Sequence, residues 1–378
     1  AYEIRLSLVG SEMCIRDRLR ELAGEFNLEI NKVFATEAER LKTSGQDFLS
    51  SLVSNSKHIA SGGKRLRGAF TCYGYLLHGG SDRAEIIKAA VAVEIIHAYL
   101  LIHDDVMDQD AMRRGAKTLH QIYSENFEIL SAGNNKKSLQ GDRTAKAMHF
   151  GESVAVCVGD VYSSIANDIL LKSNFPAEKL LKAMQKLHEK LIDVGYGQTL
   201  DILQEIKANS TEAEILHILL LKTGEYTYEM PLQIGALLAG ANQADLDQLT
   251  KYAHPAGIAF QIQDDILGIY GDPETTGKSA SSDLKQGKQS LPIFKAFELA
   301  SASDREFLLS IVGNHAASEA DFARAREIIA NCGALDYCKQ KALYLVNVAK
   351  EALNYPGWSG EGKDFMAGVA DYMINREL

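Results

Sequence analysis

The residues of this chain best suited to chemistry are aspartates placed where apolar runs end. An almost uninterrupted apolar stretch from Ala89 to Ile102 closes on His103-Asp104-Asp105-Val106-Met107-Asp108. Residues three, four and seven apart share one face of a helix. His97, Leu100, Leu101, Asp104, Asp105 and Asp108 therefore form a single stripe. Carboxylates at the end of a buried helix are costly unless a cation sits with them. A lone DDxxD is better read as an acidic surface turn. A second copy shifts the balance: Phe260-Gln261-Ile262-Gln263-Asp264-Asp265-Ile266-Leu267-Gly268 is again an apolar run that closes on an aspartate pair. Two such ends suggest metal ions held between facing helices. Only oxygen ligands are on offer, with no Cys or His at ligand spacing, so zinc is disfavoured and Mg²⁺ favoured.

Cations recur around these acids in a chain of formal net charge −10. Lys64, Arg65 and Arg67 follow the Gly62-Gly63 turn, and Arg113-Arg114 stands five residues past Asp108. Lys278, Lys285 and Lys288 lie on the polar stretch 271–290, placed as a lid would be. Each cluster alone reads as a solvated basic surface. Together they suggest a site for two diphosphates, with Mg²⁺ reconciling phosphate and aspartate, and an apolar cavity for the tails.

The elements that must position these residues are helices. Apolar residues recur at helical spacing from Leu19 to Val53 with a break at Ser44-Gly45, and Asp82 is a plausible cap for the helix 83–108. The stretch 131–146 reads as a polar loop. Helical patterns follow at 150–171, 176–204, 211–221, 224–240 and 244–271, with a boundary or kink expected at Pro255. Period-two strands are absent. The expectation is an all-α fold: one large helical bundle, 19–378, around a central apolar cavity. Residues 1–18 resemble a translated sequencing adaptor more than a native segment; a native extension is the alternative, and they stay outside the fold argument.

Bulk properties narrow the class. Of 378 residues, 46% are hydrophobic and 24% charged, as in an ordinary globular protein, and the acidic balance argues against a nucleic-acid binder. Five scattered cysteines without a CxxC read as reduced thiols in a cytoplasmic protein. The apolar run 89–102 is shorter than the ~20 residues a bilayer requires, so no transmembrane segment is expected, and no signal peptide is recognisable.

Taken in order, Gly62-Gly63-Lys64-Arg65-Leu66-Arg67, the HDDxxD of 103–108 with Arg113-Arg114-Gly115 and Thr118-Leu119-His120, Gly197-Gln198-Thr199-Leu200-Asp201, Lys222-Thr223 and Phe260–Asp265 resemble the trans-prenyltransferases, or polyprenyl synthetases. The motifs cover residues 60 to 292. The resemblance implies an α-helical bundle, usually a homodimer. It implies a reaction that joins isopentenyl diphosphate head-to-tail to an allylic diphosphate (dimethylallyl, geranyl or farnesyl). By that likeness Asp104, Asp108 and Asp264 hold Mg²⁺, with Asp105 and Asp265 in support. Arg113, Lys222, Lys278 and Lys288 grip the allylic diphosphate, and Gln261 and Thr223 shape the site. Lys64, Arg67, His97 and Arg114 bind isopentenyl diphosphate.

In the family a bulky residue four or five positions before the first acid limits product growth. Tyr99 beside Leu100, with no insertion in the first motif, resembles synthases of geranylgeranyl diphosphate (C20); farnesyl diphosphate (C15) is the close alternative. Tyr99 as ordinary core packing would leave product length unreadable. One departure stands out: Gly268 replaces the last acid of a second DDxxD. The change leaves three readings open: a harmless loss, since family metal binding at this end rests mainly on the first aspartate, a weakened metal affinity, or a non-catalytic regulatory subunit. A terpene cyclase would need an NDxxSxxxE-type site, and Asn167-Asp168 lacks the serine.

Overall fold

The computed structural model describes residues 2–60, 62–132, 142–207, 210–271 and 282–374. Helices dominate, as expected from the sequence. Among the described residues the extended structure is one antiparallel pair, β1 (Met112–Arg113) and β2 (Ala116–Lys117). The helices group into two compact units interleaved along the chain. An N-terminal unit comprises Leu19–Ala69 and Asp82–Asn174, and a C-terminal unit comprises Ala1–Arg18, Phe70–Ser81 and Phe175–Leu378.

In the N-terminal unit the central element is α4 (Arg83–Met107). Its N-cap is Asp82, whose Oδ1 accepts the Glu85 N–H at 3.1 Å. Residues Ala89 to Ile96 are buried on every side, the mark of a helix enclosed by its neighbours. It packs against α2 (Asp47–Ala60) and along α6 (Arg143–Leu171), which also carries α5 (Leu119–Leu130). Small residues on α6 allow the close fit: a Cβ on Gly159 would meet the His103 ring. Asp142 caps α6, so helix reaches into the stretch read as a loop; 133–141 lie outside the described residues.

Helix α1 (Tyr2–Thr43) runs through the N-terminal residues that the sequence reading left outside the fold argument. Ile15 continues the apolar series Leu19, Leu22, Phe26 and is buried, and a Cβ on Gly368 would meet its side chain at 2.8 Å.

The C-terminal unit is built on α10 (Gln243–Tyr270), capped by Asn242 and Asp245 in a reciprocal box. The helix runs through Pro255, so the boundary expected there is absent. Before it come the part of α3 (Leu66–Leu77) from Phe70 on, α7 (Ala177–Ile206), α8 (Glu212–Leu219), a ten-residue π-helix (Leu220–Glu229) and α9 (Met230–Ala239). After it come α11 (Ser282–Gln286), α12 (Leu291–Leu299), α13 (Ala302–Ile311), α14 (Glu319–Asn331), α15 (Ala334–Ala352) and α16 (Gly360–Ile374). The sequence reading split 211–240 at residues 222–223, where the chain in fact passes into the wider π winding. Such stretches are rare and concentrate at functional sites.

Candidate active site

At the first acidic end, Asp104 is partly exposed and Asp105 is buried. The β1–β2 turn, made possible by left-handed backbone at Arg114 (φ 53°) and Gly115 (φ 76°), aims Arg113 back at α4. Its Nε bonds to Asp105, while Nη2 lies 3.3 Å from Asp104 Oδ2 and 3.5 Å from Asp110 Oδ2. Burial pushes the Asp105 carboxyl up to about 6, against the pull of Arg113. Asp108 closes the helix, its N–H donating to Asp104 O at 2.8 Å.

Beside this end lies a basic nest. A Cβ on Gly62 or Gly63 would strike the Arg114 guanidinium at 2.7 or 2.8 Å, so the two glycines let Arg114 lie against the backbone. Arg65 does not join the other cations. It is buried, with φ 55°, its Nη1 3.2 Å from Glu94 Oε2 and its Nε donating to Asn27 Oδ1 at 3.0 Å. Glu94 also accepts the Gly68 N–H at 2.7 Å. This anchor fixes the loop that presents Lys64 and Arg67. His97 is held well below the usual histidine range, first by burial and then by Arg67, Arg114, Arg113 and Arg65. A neutral imidazole amid guanidinium groups is an environment made for an anion.

The Tyr99 and His103 rings meet edge to face, centroids 4.8 Å apart, and His103 Nε2 lies 3.1 Å from Val156 O on α6. Tyr99 thus shares the α6-facing side of α4. Leu100, four residues before Asp104, is one turn away on the acidic stripe.

At the second acidic end a relay orients the buried carboxylate. Thr223 Oγ1 donates to Gln261 Oε1 at 2.7 Å, and Gln261 Nε2 donates to Asp265 Oδ1 at 3.0 Å. Burial pushes Asp265 up to about 8; Gln261 pulls the other way, and Asp283 and Asp264 add to the rise. Among the described residues no hydrogen bond reaches its buried Oδ2. Lys222, just before Thr223, pairs with Asp201.

Gly268 has a neighbour that explains it. A Cβ there would fall on the Asp283 carboxylate, so the acid missing from the motif is replaced in space by one fifteen residues on. The turn carrying Asp283 is fixed by Gly313 N–H donating to Leu284 O at 2.8 Å and Lys288 N–H donating to Asp283 O at 3.1 Å. Lys288 is close enough to act on Asp265. Lys285 turns away from the motif acids: its Nζ lies 3.0 Å from Glu319 Oε1 and above the Phe322 ring. Lys278 lies outside the described residues.

Both ends thus combine acids, bases and helix termini in the pattern expected of diphosphate chemistry. The polyprenyl synthetase family model matches residues 50–136 and 140–329. The chain belongs to the polyprenyl synthetase family. Membership makes it a prenyltransferase. It is 34% identical to a geranylfarnesyl diphosphate synthase of Aeropyrum pernix over 84% of this chain and 92% of that protein. It is 33% identical to a geranylgeranyl diphosphate synthase of Methanosarcina mazei, over 84% of this chain and 87% of that one. Among solved structures it resembles a geranylgeranyl pyrophosphate synthase from Corynebacterium glutamicum complexed with isoprenyl diphosphate and magnesium. That match has TM-score 0.83 and 29% identity, and covers 93% of this chain and 99% of that one.

The residues of this polyprenyl synthetase fit a hard divalent cation. Every candidate ligand is a carboxylate, and among the described residues no hydrogen bond satisfies the buried Asp265 Oδ2. Sequence reasoning missed Asp283, although its position in Asp283-Leu284-Lys285, an acid opening a short helix, was a usable signal. It also missed the inward turn of Arg65, which a run of three cations conceals.

Proposed function

We propose that this prenyltransferase condenses isopentenyl diphosphate head-to-tail with allylic diphosphates, ending at geranylgeranyl diphosphate (C20). The observation that carries the reading is the pairing, in one chain, of an acidic helix end beside an arginine nest with a second acidic end served by its own lysines. Asp104, Asp108 and Asp264 would hold Mg²⁺, which supplies charge to the diphosphate as the allylic C–O bond breaks. Asp105 and Asp265 are too buried to lead; they orient their neighbours. Arg113 stabilises the acids in the free protein and turns to the allylic diphosphate, alongside Lys222, Lys278 and Lys288. Lys64, Arg67, Arg114 and neutral His97 receive isopentenyl diphosphate and orient its double bond toward the allylic carbon. Gln261 and Thr223 align Asp265. Asp283 completes the second end in place of an acid at 268.

Loss of the motif acid therefore gives no support to a non-catalytic subunit. A homodimer is supported by apolar side chains left exposed on α6 (Val156, Val161, Leu171) and on α7 (Leu181, Tyr196, Ile206). By length and composition alone α4 and α6 could cross a membrane, but α4 is the core of its unit and the α6 surface suits a second copy of the chain. The four described cysteines are free thiols, in keeping with a cytoplasmic protein.

Tyr99 is the proposed limit on chain length, with Leu100 beside it. Incubation with Mg²⁺, labelled isopentenyl diphosphate and each of dimethylallyl, geranyl and farnesyl diphosphate tests the reading. Products separated by chromatography should end at C20 from every primer. An end at C15 or C25 would discard the Tyr99 gauge, and no condensation with any primer would overturn the function.

A further inference from the structure

Within the C-terminal unit a buried charged cluster lies outside the residues assigned so far. Glu225 and Glu229 of the π-helix and His254 of α10 bring three potential metal-ligand atoms within 4.8 Å of one another. The cation there is already supplied by the protein. Lys190 of α7 places Nζ 2.7 Å from Glu225 Oε2 and 3.0 Å from Glu229 Oε2, with Asp193 Oδ2 at 3.4 Å and Glu189 Oε1 at 3.8 Å. His254 Nε2 stands 3.1 Å from Glu229 Oε2, and Thr250 donates to the same glutamate. A buried ion cluster of this kind is weak as a source of stability, and its better-attested use is to fix one arrangement among several.

The arrangement at stake is the winding of the π-helix. Gly224 and Gly257 bring the π-helix and α10 backbone against backbone, since a Cβ on Gly257 would fall on Gly224. On one side of that contact the two helices are joined through Glu229 to His254 and Thr250. On the other they are joined through Thr223 to Gln261, and Gln261 reaches Asp265. Glu225 and Glu229, four residues apart, both turn to Lys190. Returning the segment to α winding would close its hydrogen bonds four residues back instead of five. That change would rotate Thr223 relative to the glutamates.

We propose that Lys190 is a positioning residue: by holding Glu225 and Glu229 it fixes the π winding that delivers Thr223 to Gln261, and so sets the second acidic end for the allylic diphosphate. The proposal deepens the prenyl-transfer reading and rests on it. Lys190 touches none of the reacting groups.

The test compares wild type, Lys190→Met, Lys190→Arg, Glu225→Gln and the charge-neutral Lys190→Met/Glu225→Gln/Glu229→Gln. Thermal midpoint is measured beside the KM for farnesyl diphosphate, the KM for isopentenyl diphosphate and kcat. Misalignment of a site by a remote change can cost ~10²-fold. Lys190→Met should lose efficiency on that order with farnesyl diphosphate, while the KM for isopentenyl diphosphate stays at the wild-type value. Lys190→Arg should restore both midpoint and efficiency. The neutral triple variant should regain the midpoint without regaining the farnesyl KM. Glu225→Gln, the mildest change, should raise the same KM with little change in midpoint. Calorimetric titration with Mg²⁺ and inorganic pyrophosphate reads the same defect without turnover and should show weaker binding in Lys190→Met and Glu225→Gln. Wild-type farnesyl KM and pyrophosphate affinity in any folded variant lacking the Lys190–Glu225 ion pair would overturn the proposal. An inactive wild type would instead overturn the prenyl-transfer reading, with the titration still deciding on Lys190.

Discussion

At the end of α4 the buried carboxylate Asp105 meets a guanidinium, Arg113; at the end of α10 the buried carboxylate Asp265 meets an amide, Gln261. The two environments differ in what they do to the acid. Burial drives both upward, but the ion pair limits Asp105 to about 6 whereas Asp265 rises to about 8. One end is thus held by opposite charge and the other by hydrogen bonding to a carboxyl that stays largely protonated at neutral pH. The third acid differs as well. Asp108 is the C-cap of the same helix, whereas the second end takes Asp283 from fifteen residues on, against a glycine. Similar motifs need not be built alike: the first end is assembled by local chain, the second by tertiary packing.

Substitution of each partner should expose that contrast. Arg113→Met leaves a buried carboxylate without its cation, and loss of one partner from a buried pair costs about 3–5 kcal/mol. Denaturant unfolding at pH 8 should show that loss, and lowering the pH toward 5 should reduce it, because Asp105 can then take a proton. Gln261→Met should cost less, about 1–3 kcal/mol, as expected for an unsatisfied buried acceptor. Equal costs at the two ends would break the comparison.

Gly268→Asp restores the written motif yet should impair the enzyme, since the new side chain must displace Asp283. Residues just outside a metal's ligands typically matter by roughly 10–100-fold. Turnover should fall on that scale, as it should in Asp283→Ala, and Gly268→Asp/Asp283→Gly should recover part of it. A gain of activity in Gly268→Asp alone would show that Asp283 does not stand in for the missing acid.

The smallest effect concerns His97. Its folded-state value is depressed, so below about 6.5 the unfolded chain binds a proton that the folded ring refuses. Stability should therefore decline as pH falls below that value, and His97→Gln should flatten that part of the slope. Inorganic pyrophosphate bound among the arginines should raise the ring's value, visible in its NMR titration. A ring that titrates like free histidine in the unliganded protein would remove the anion nest from the account.

These contrasts also mark what sequence can carry. The first end was legible because its parts are neighbours: Asp104, Asp105 and Asp108 at helical spacing, Arg113 one turn of chain away, and Asp82 as the cap. The all-α fold was legible for the same reason, helical periodicity being local. Gly268 left several readings open in the sequence because its neighbour Asp283 is spatial, fifteen residues on. Lys285 and Lys288 are equivalent in sequence, yet one faces Glu319 and the other the acids. The cluster of Lys190, Glu225 and Glu229 resembles ordinary surface charge when read along its helices, and only packing reveals it as buried. Pro255 signalled a boundary or a kink, and α10 continues through it without a boundary.

The central claim is that both acidic ends, unlike in construction, serve one metal-dependent prenyl transfer. Asp104→Ala and Asp264→Ala, assayed side by side for condensation across a Mg²⁺ titration with helical circular dichroism as the folding control, test it most directly. Both variants should lose turnover at every Mg²⁺ concentration while keeping the wild-type helical signal. Near-normal turnover in either folded variant would contradict the claim and leave the surviving end to act alone.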